Sequence, residues 1–192
     1  MEKTTVGYAM TGSFCTFDKS IQELARLRAM GYEIIPIMSE NAYSTSTRFG
    51  KAHDVVTRVE DIAGKSVIHT IIGAEPIGPK GLCDILVVAP CTGNTLSKIA
   101  LGITDTAVAM AVKSQLRIGA PVLIAPASND ALGASAENIG KLLNRRNVYF
   151  VPMSQDDPER KPNSLVAHFE LLPKCVESVL RGRQVQPVFA SR

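Results

Sequence analysis

The chain has 192 residues, of which 45% are apolar and 20% charged, and its formal net charge is +3. These proportions suit a globular chain able to bury a sizeable core without staples, and they argue against disorder. The weak, scattered positive charge excludes an obvious nucleic-acid surface, and no apolar run reaches the roughly 18 residues of a membrane span.

Residues 6–10 read as a short buried strand, followed by a turn of small and polar residues, Thr11-Gly-Ser-Phe-Cys-Thr16. Apolar Ile21, Leu24, Leu27 and Met30 lie near helical spacing, so residues 17–30 read as a helix closed by Gly31. Residues 32–38 form a second strand, in which Pro36 marks an edge position or a bulge. A polar turn from Ser39 follows, and residues 45–49 can open a helix. The β-branched run at 65–72 predicts a strand, and 75–81 is a loop rich in Pro and Gly. Residues 85–89 are a continuous apolar strand that breaks at Pro90, with a helix starting near Asn94 and another over 107–116. A fourth strand at 121–125 leads into the turn Pro126-Ala-Ser-Asn-Asp130 and a helix over 131–145 interrupted at Gly140. A last strand at 148–151 precedes an exposed loop at 152–163. Residues 165–180 read as a closing helix kinked or broken at Pro173, and the tail 181–192 is expected to fray.

Strands alternate with helices, and each strand is a continuous apolar run. That pattern predicts a parallel sheet with helices on both faces, in one three-layer α/β domain over residues 1–192 with its core at about 6–180. The cysteines, Cys15, Cys83, Cys91 and Cys175, form no CxxC pair and suit neither a zinc site nor a disulfide framework. Met1–Thr5 leads straight into the first strand with no export-length apolar stretch. A cytoplasmic protein with reduced thiols is the expectation.

Four strands end in small, polar turns: Thr11-Gly-Ser13, Ser39-Glu-Asn41, Pro90-Cys-Thr-Gly-Asn-Thr95 and Pro126-Ala-Ser-Asn129. In a parallel sheet all four lie on the carboxyl edge, beneath helix N-termini whose free N–H groups favour an anion. Gly12 allows close backbone approach, Ser13 and Ser39 add hydroxyls, and Thr92, Asn94 and Thr95 can read a heteroaromatic ring and its side chain. The first turn is not G-x-G-x-x-G, so a mononucleotide is favoured over NAD. Cys91 sits beside a helix start, where a thiolate would be stabilised, but reads more simply as a small turn residue.

These turns, with the long segment Ala89-Pro-Cys-Thr-Gly-Asn-Thr-Leu-Ser-Lys-Ile-Ala-Leu-Gly-Ile-Thr-Asp105, resemble the homo-oligomeric flavin-containing cysteine decarboxylases and their relatives over residues 6–151. The resemblance implies a flavodoxin-like, Rossmann-like fold, FMN as cofactor and a homo-oligomer built from trimers. It implies that Gly12, Ser13 and Ser39 hold the FMN phosphate. It also implies that Pro90, Thr92, Asn94 and Thr95 line the ribityl chain and ring, and that Asn129 belongs to the substrate motif. Ser128 stands where that motif has methionine, and the loop Gly73-Ala-Glu-Pro-Ile-Gly-Pro79 lacks the histidine the decarboxylases carry, which argues against cysteine decarboxylation. His69 lies earlier, as a core or edge residue of the strand expected there.

One branch of the family is matched further, at residues 7–16, 125–132 and 151–158. That likeness implies an oxidoreductase subunit of spore formation, in the mother-cell cytoplasm. It would act on a dihydropyridine-type small molecule, with NAD(P) held by a separate partner subunit. A planar dicarboxylate would want cations, for which Arg48 and Lys51 near the Ser39 turn are candidates. The alternatives are a decarboxylase, a flavin prenyltransferase and a non-catalytic scaffold subunit.

Overall fold

The structure, a computed structural model, describes residues 3–191. In chain order it places β1 (Thr5–Met10), α1 (Phe17–Ala29), β2 (Glu33–Met38), α2 (Glu40–Ser44), α3 (Ala52–Ala63), α4 (Ile71–Ala74) and β3 (Ile85–Cys91). Then follow α5 (Gly93–Leu101), α6 (Ala107–Arg117), β4 (Val122–Ser128), α7 (Ser135–Leu143), β5 (Val148–Phe150), β6 (Met153–Ser154), β7 (Leu165–Ala167) and α8 (Leu172–Val179). Among the described residues no helix is long and apolar enough to cross a membrane.

Five strands run parallel in the order β2-β1-β3-β4-β5, the flavodoxin-like arrangement. The expected α/β class and parallel core hold, but the sheet is mixed. β7 pairs antiparallel with the carboxyl end of β4, and β6 pairs antiparallel with β7. β4 therefore has a divided flank, with β5 along Val122–Ile124 and β7 along Ala127–Ser128.

The unbroken apolar strands are explained by a core on each face. Along β3, Ile85, Val87 and Ala89 pack against α1, α3 and α8, while Leu86, Val88 and Cys91 pack against α5, α6 and α7. Each buried Val, Ile or Leu contributes about 1.5–3 kcal/mol by leaving water. α1 shows the local logic: Phe17, Ile21, Leu24 and Leu27 are buried on one face, Asp18 sits in the first turn, and Arg26 and Arg28 in the last. Those charges complement the helix dipole.

Pro36 lies in the edge strand β2, where a missing N–H costs least. The run at 65–72 is not a strand. Only Ile68 bridges the outside of β2, and the chain turns into α4 at once because Thr70 caps it by accepting from the Gly73 N–H at 3.1 Å. Residues 45–49 form no helix; helices stand on either side, in α2 and α3. The fourth strand runs on through Pro126 to Ser128, and Gly140 does not interrupt α7.

The largest departure is at 165–180. Residues 165–167 are strand β7, and Pro173 lies in the first turn of α8, where its missing N–H is harmless, rather than at a kink. The loop expected at 152–163 likewise carries β6, whose Met153 and Ser154 are buried.

The segment from Arg181, expected to fray, is tied down to Ala190. Met153 N–H donates to the Val188 carbonyl at 2.9 Å, and Ala190 N–H to the Met153 carbonyl at 3.0 Å. Gln184 clamps Phe150 in both directions, accepting from its N–H at 2.8 Å and donating to its carbonyl at 2.6 Å. Gln184→Ala should cost about 2 kcal/mol by leaving that edge unpaired. A thermal melt should show a fall of roughly 4–8 °C; an unchanged melting temperature would contradict the clamp.

Candidate functional site

The strand order reverses between β1 and β3, and the turns after them meet at the carboxyl edge. Thr11 fastens the two turns. Its N–H and hydroxyl both donate to the Pro90 carbonyl, at 3.1 and 2.9 Å, and its hydroxyl oxygen accepts from the Thr92 N–H at 2.9 Å. Pro90 itself is buried in β3 after a cis peptide bond, where the register with β4 shifts between Val88 and Cys91.

Two recesses open at this edge and share Gly12, Phe14 and Thr92. The smaller, of about 360 Å³, is walled by the starts of three helices. Ser39 caps α2 by accepting from Ala42 N–H at 3.3 Å, Thr92 caps α5 through Thr95 N–H at 3.3 Å, and Thr106 caps α6 through Ala109 N–H at 3.2 Å. Asn94, Thr95 and Lys98 add to the wall, as do Asn41 and the acidic Glu40. Lys98 is held by Asp105 at 2.7 Å, and that hydrogen bond keeps the Asp105 carboxyl below its usual range. Asp105 thus serves as a counter-charge to a lysine of the recess.

The larger cleft, of about 690 Å³, runs from the Gly12–Thr16 turn to the end of β4 and the strand β7. Ser13 and Asn129 open onto it rather than onto the smaller recess. Asn129 Oδ1 accepts from the Ser164 hydroxyl at 3.4 Å. At Gly93 a Cβ would stand 2.6 Å from Ser135 Oγ and 2.7 Å from Ser128 Oγ, so both hydroxyls would have to turn aside for a side chain where α5 begins beside β4.

The candidate residues therefore fall into three groups. Gly12 and Thr92 border both recesses, Ser39, Asn94 and Thr95 the smaller one, and Ser13 and Asn129 the larger. Pro90 borders neither and acts through its carbonyl. Of the two cation candidates, Lys51 lines neither recess, and the Arg48 guanidinium lies 4.9 Å from the ring centre of Phe49, a residue of the larger cleft. Cys91 is fully buried, which pushes its thiol far above the ordinary value, so it is a packing residue. Cys15, by contrast, is exposed on the larger cleft. His69 is stacked on Tyr43, ring centres 3.8 Å apart, away from both recesses.

Sequence reading missed Lys19, Lys161, Asp156 and His168, all of which line the larger cleft. Burial alone would raise the Asp156 carboxyl, but hydrogen bonds from Ser164 and Lys161 outweigh it and hold the group below its usual range. Lys161 lies 3.2 Å from it. His168 escaped notice because residues 165–180 read as helix, and the apolar Leu165-Val-Ala167 run before it is too short to show a strand period.

The profile of the Flavoprotein family matches residues 1–179. The chain belongs to that family. This flavoprotein is 42% identical to the dipicolinate synthase B subunit of Bacillus subtilis strain 168 over 183 residues, covering 95% of the chain and 92% of the relative. Its fold superposes on the crystal structure of the dipicolinate synthase B subunit from Bacillus halodurans with a TM-score of 0.90 at 40% identity, over 98% and 97% of the two chains. The dodecameric FMN-dependent UbiX-like decarboxylase of Escherichia coli O157:H7 is similar at 26% identity and a TM-score of 0.64, over 78% and 80%. A flavin-related enzyme type is thereby shown for this flavoprotein.

Proposed function

We propose that this chain is an FMN-binding oxidoreductase subunit, the B component of a dipicolinate synthase. It acts with the NAD(P)-binding A component of the same synthase, in the mother-cell cytoplasm of a spore-former, to form dipicolinate from a dihydrodipicolinate-type precursor. The observation that carries the reading is the near-full-length likeness to known B components in both sequence and fold.

The residues at the β1/β3 edge suit FMN. The smaller recess offers the donor set a phosphate needs: hydroxyls of Ser39, Thr95 and Thr106, the N-terminal turns of α5 and α6, and the Lys98 ammonium. Gly12 leaves room beside Phe14, since a Cβ there would be 3.5 Å from its ring, and Gly93 and Ala127 keep the larger cleft open for a flat ring. Gly12 and Ser39 would hold the phosphate end; Thr92, positioned by the Thr11–Pro90 link and bordering both recesses, would follow the ribityl chain, with Asn94 and Thr95 on its phosphate side; Ser13 and Asn129, on the larger cleft, would face the ring and the substrate. Bound FMN supplies a two-electron acceptor, and the chain supplies position and electrostatics.

Absorption of the purified protein, alone and after adding FMN, tests the cofactor. Flavin bands are expected; a colourless protein that takes up no FMN overturns the reading. Dipicolinate formation by the A component with and without this chain tests the role. Full rate in the absence of this chain would leave it a scaffold. By likeness to the dodecameric relative, the chain assembles as a trimer-based homo-oligomer, and a monomer mass in solution would refute that.

A further inference from the structure

Among the described residues, five charged or titratable side chains besides Cys15 line the larger cleft, and four of them lie in two pairs. Asp156 is engaged by Lys161 at 3.2 Å. Glu170 Oε1 lies 3.3 Å from His168 Nδ1, orienting that ring. Two groups are left over. The Lys19 ammonium, on the exposed side of α1, has no acidic partner among the described residues. His168 Nε2 is closed off from solvent and has no hydrogen-bond partner among the described residues, although 26% of the side chain is open. A buried polar nitrogen without a partner costs about 1–3 kcal/mol, so one is expected to have a use.

The surroundings narrow what that use is. Phe14 and Phe49 supply flat apolar walls, and Asn129, Ser128 and Ser154 supply neutral polar groups at the end of the sheet. His168 lines the cleft with about a quarter of its side chain open, so a turn of the ring is the step that would present Nε2 to a ligand there. A flat ligand carrying anionic oxygens satisfies both leftover groups at once.

Building on the function proposed above, we infer that the larger cleft binds a planar aromatic or heteroaromatic dicarboxylate, with Lys19 and His168 as its carboxylate contacts. Glu170 positions the imidazole, and the two phenylalanines flank the ring. Neither Arg48 nor Lys51 takes part.

Calorimetric titration of the full chain with pyridine-2,6-dicarboxylate and with pyridine-2-carboxylate tests this. The unaltered chain should prefer the dicarboxylate. Lys19→Gln and His168→Asn should each weaken its binding about tenfold or more, the loss of one charge-assisted hydrogen bond. Each should also shrink the preference over the monocarboxylate, which a general loosening of the fold would not do. The Lys19 side chain has no bond to lose among the described residues, so that variant stays interpretable should His168→Asn unfold. Dicarboxylate binding within twofold of the unaltered chain in both variants overturns the inference, as does equal binding of the two acids by the unaltered chain. FMN absorption separates the two readings. FMN uptake without a dicarboxylate response sinks only this inference; a dicarboxylate response without FMN uptake sinks only the flavin assignment.

Discussion

Thr11→Val is expected to weaken FMN binding about tenfold or more and to lower stability by about 2 kcal/mol. Valine keeps the shape of threonine and removes the hydroxyl. Thr11 is 1% exposed, so water cannot replace what is lost. The Pro90 carbonyl keeps the Thr11 N–H, but the Thr92 N–H loses its acceptor at 2.9 Å, and the β1 and β3 turns are no longer fastened side chain to backbone. Thr92 caps α5 and borders both recesses, so its drift would misplace the cap and the wall together. Thr11→Ser restores the hydroxyl and should bind FMN nearly as the unaltered chain does. Fluorescence titration with FMN, beside thermal melts, gives both quantities. Equal FMN affinity in the valine and serine variants would show that the fastening is irrelevant to the site.

Gly78→Ala should be the more damaging change to the fold, at about 3 kcal/mol or more. A Cβ at Gly78 would be driven into the Ser114 carbonyl oxygen, which is backbone and cannot swing aside. The same spot holds a tight relay: Gly78 N–H donates to Ser114 Oγ at 2.9 Å, and that hydroxyl donates to the Glu75 carbonyl at 2.6 Å. The segment after α4 is therefore pinned to α6, and α6 in turn starts at Thr106 beside the smaller recess. Melting should fall by roughly 6–12 °C. A fall of less than 2 °C would mean that the segment moves off α6 without penalty.

Much of this architecture was legible beforehand because each central strand carries its own signal. Ile85-Leu-Val-Val-Ala89 is apolar on both faces, which only a doubly covered strand tolerates, and the turns after β1, β2, β3 and β4 announce the binding edge. The failures fall where strands are too short to show a period. Leu165-Val-Ala167 exists as a strand because β4 and β6 lie on either side of it, and nothing in three residues distinguishes that from the start of a helix. The run at 65–72 has β-branched residues but only the outer edge of β2 to pair with, so tertiary context reduced it to one bridge. The site divides in the same way. Gly12, Ser39, Thr92, Asn94, Thr95 and Asn129 follow long strands, whereas Lys19 and His168 line the larger cleft from distant parts of the chain and carry no local mark.

The divided flank of β4 gives the two recesses, which share Gly12, Phe14 and Thr92, far walls from different stretches of the chain. Every residue bordering the smaller recess lies between Thr11 and Thr106, on the β1–β2–β3 half of the chain. The far wall of the larger cleft is a later return of the chain, residues 154–170, whose strand β7 is laid antiparallel along the last two residues of β4. Insertions or exchanges in the 155–163 loop can reshape what meets the cofactor without disturbing the strands that hold it. The larger cleft can thus change in outline while the walls of the smaller recess stay as they are.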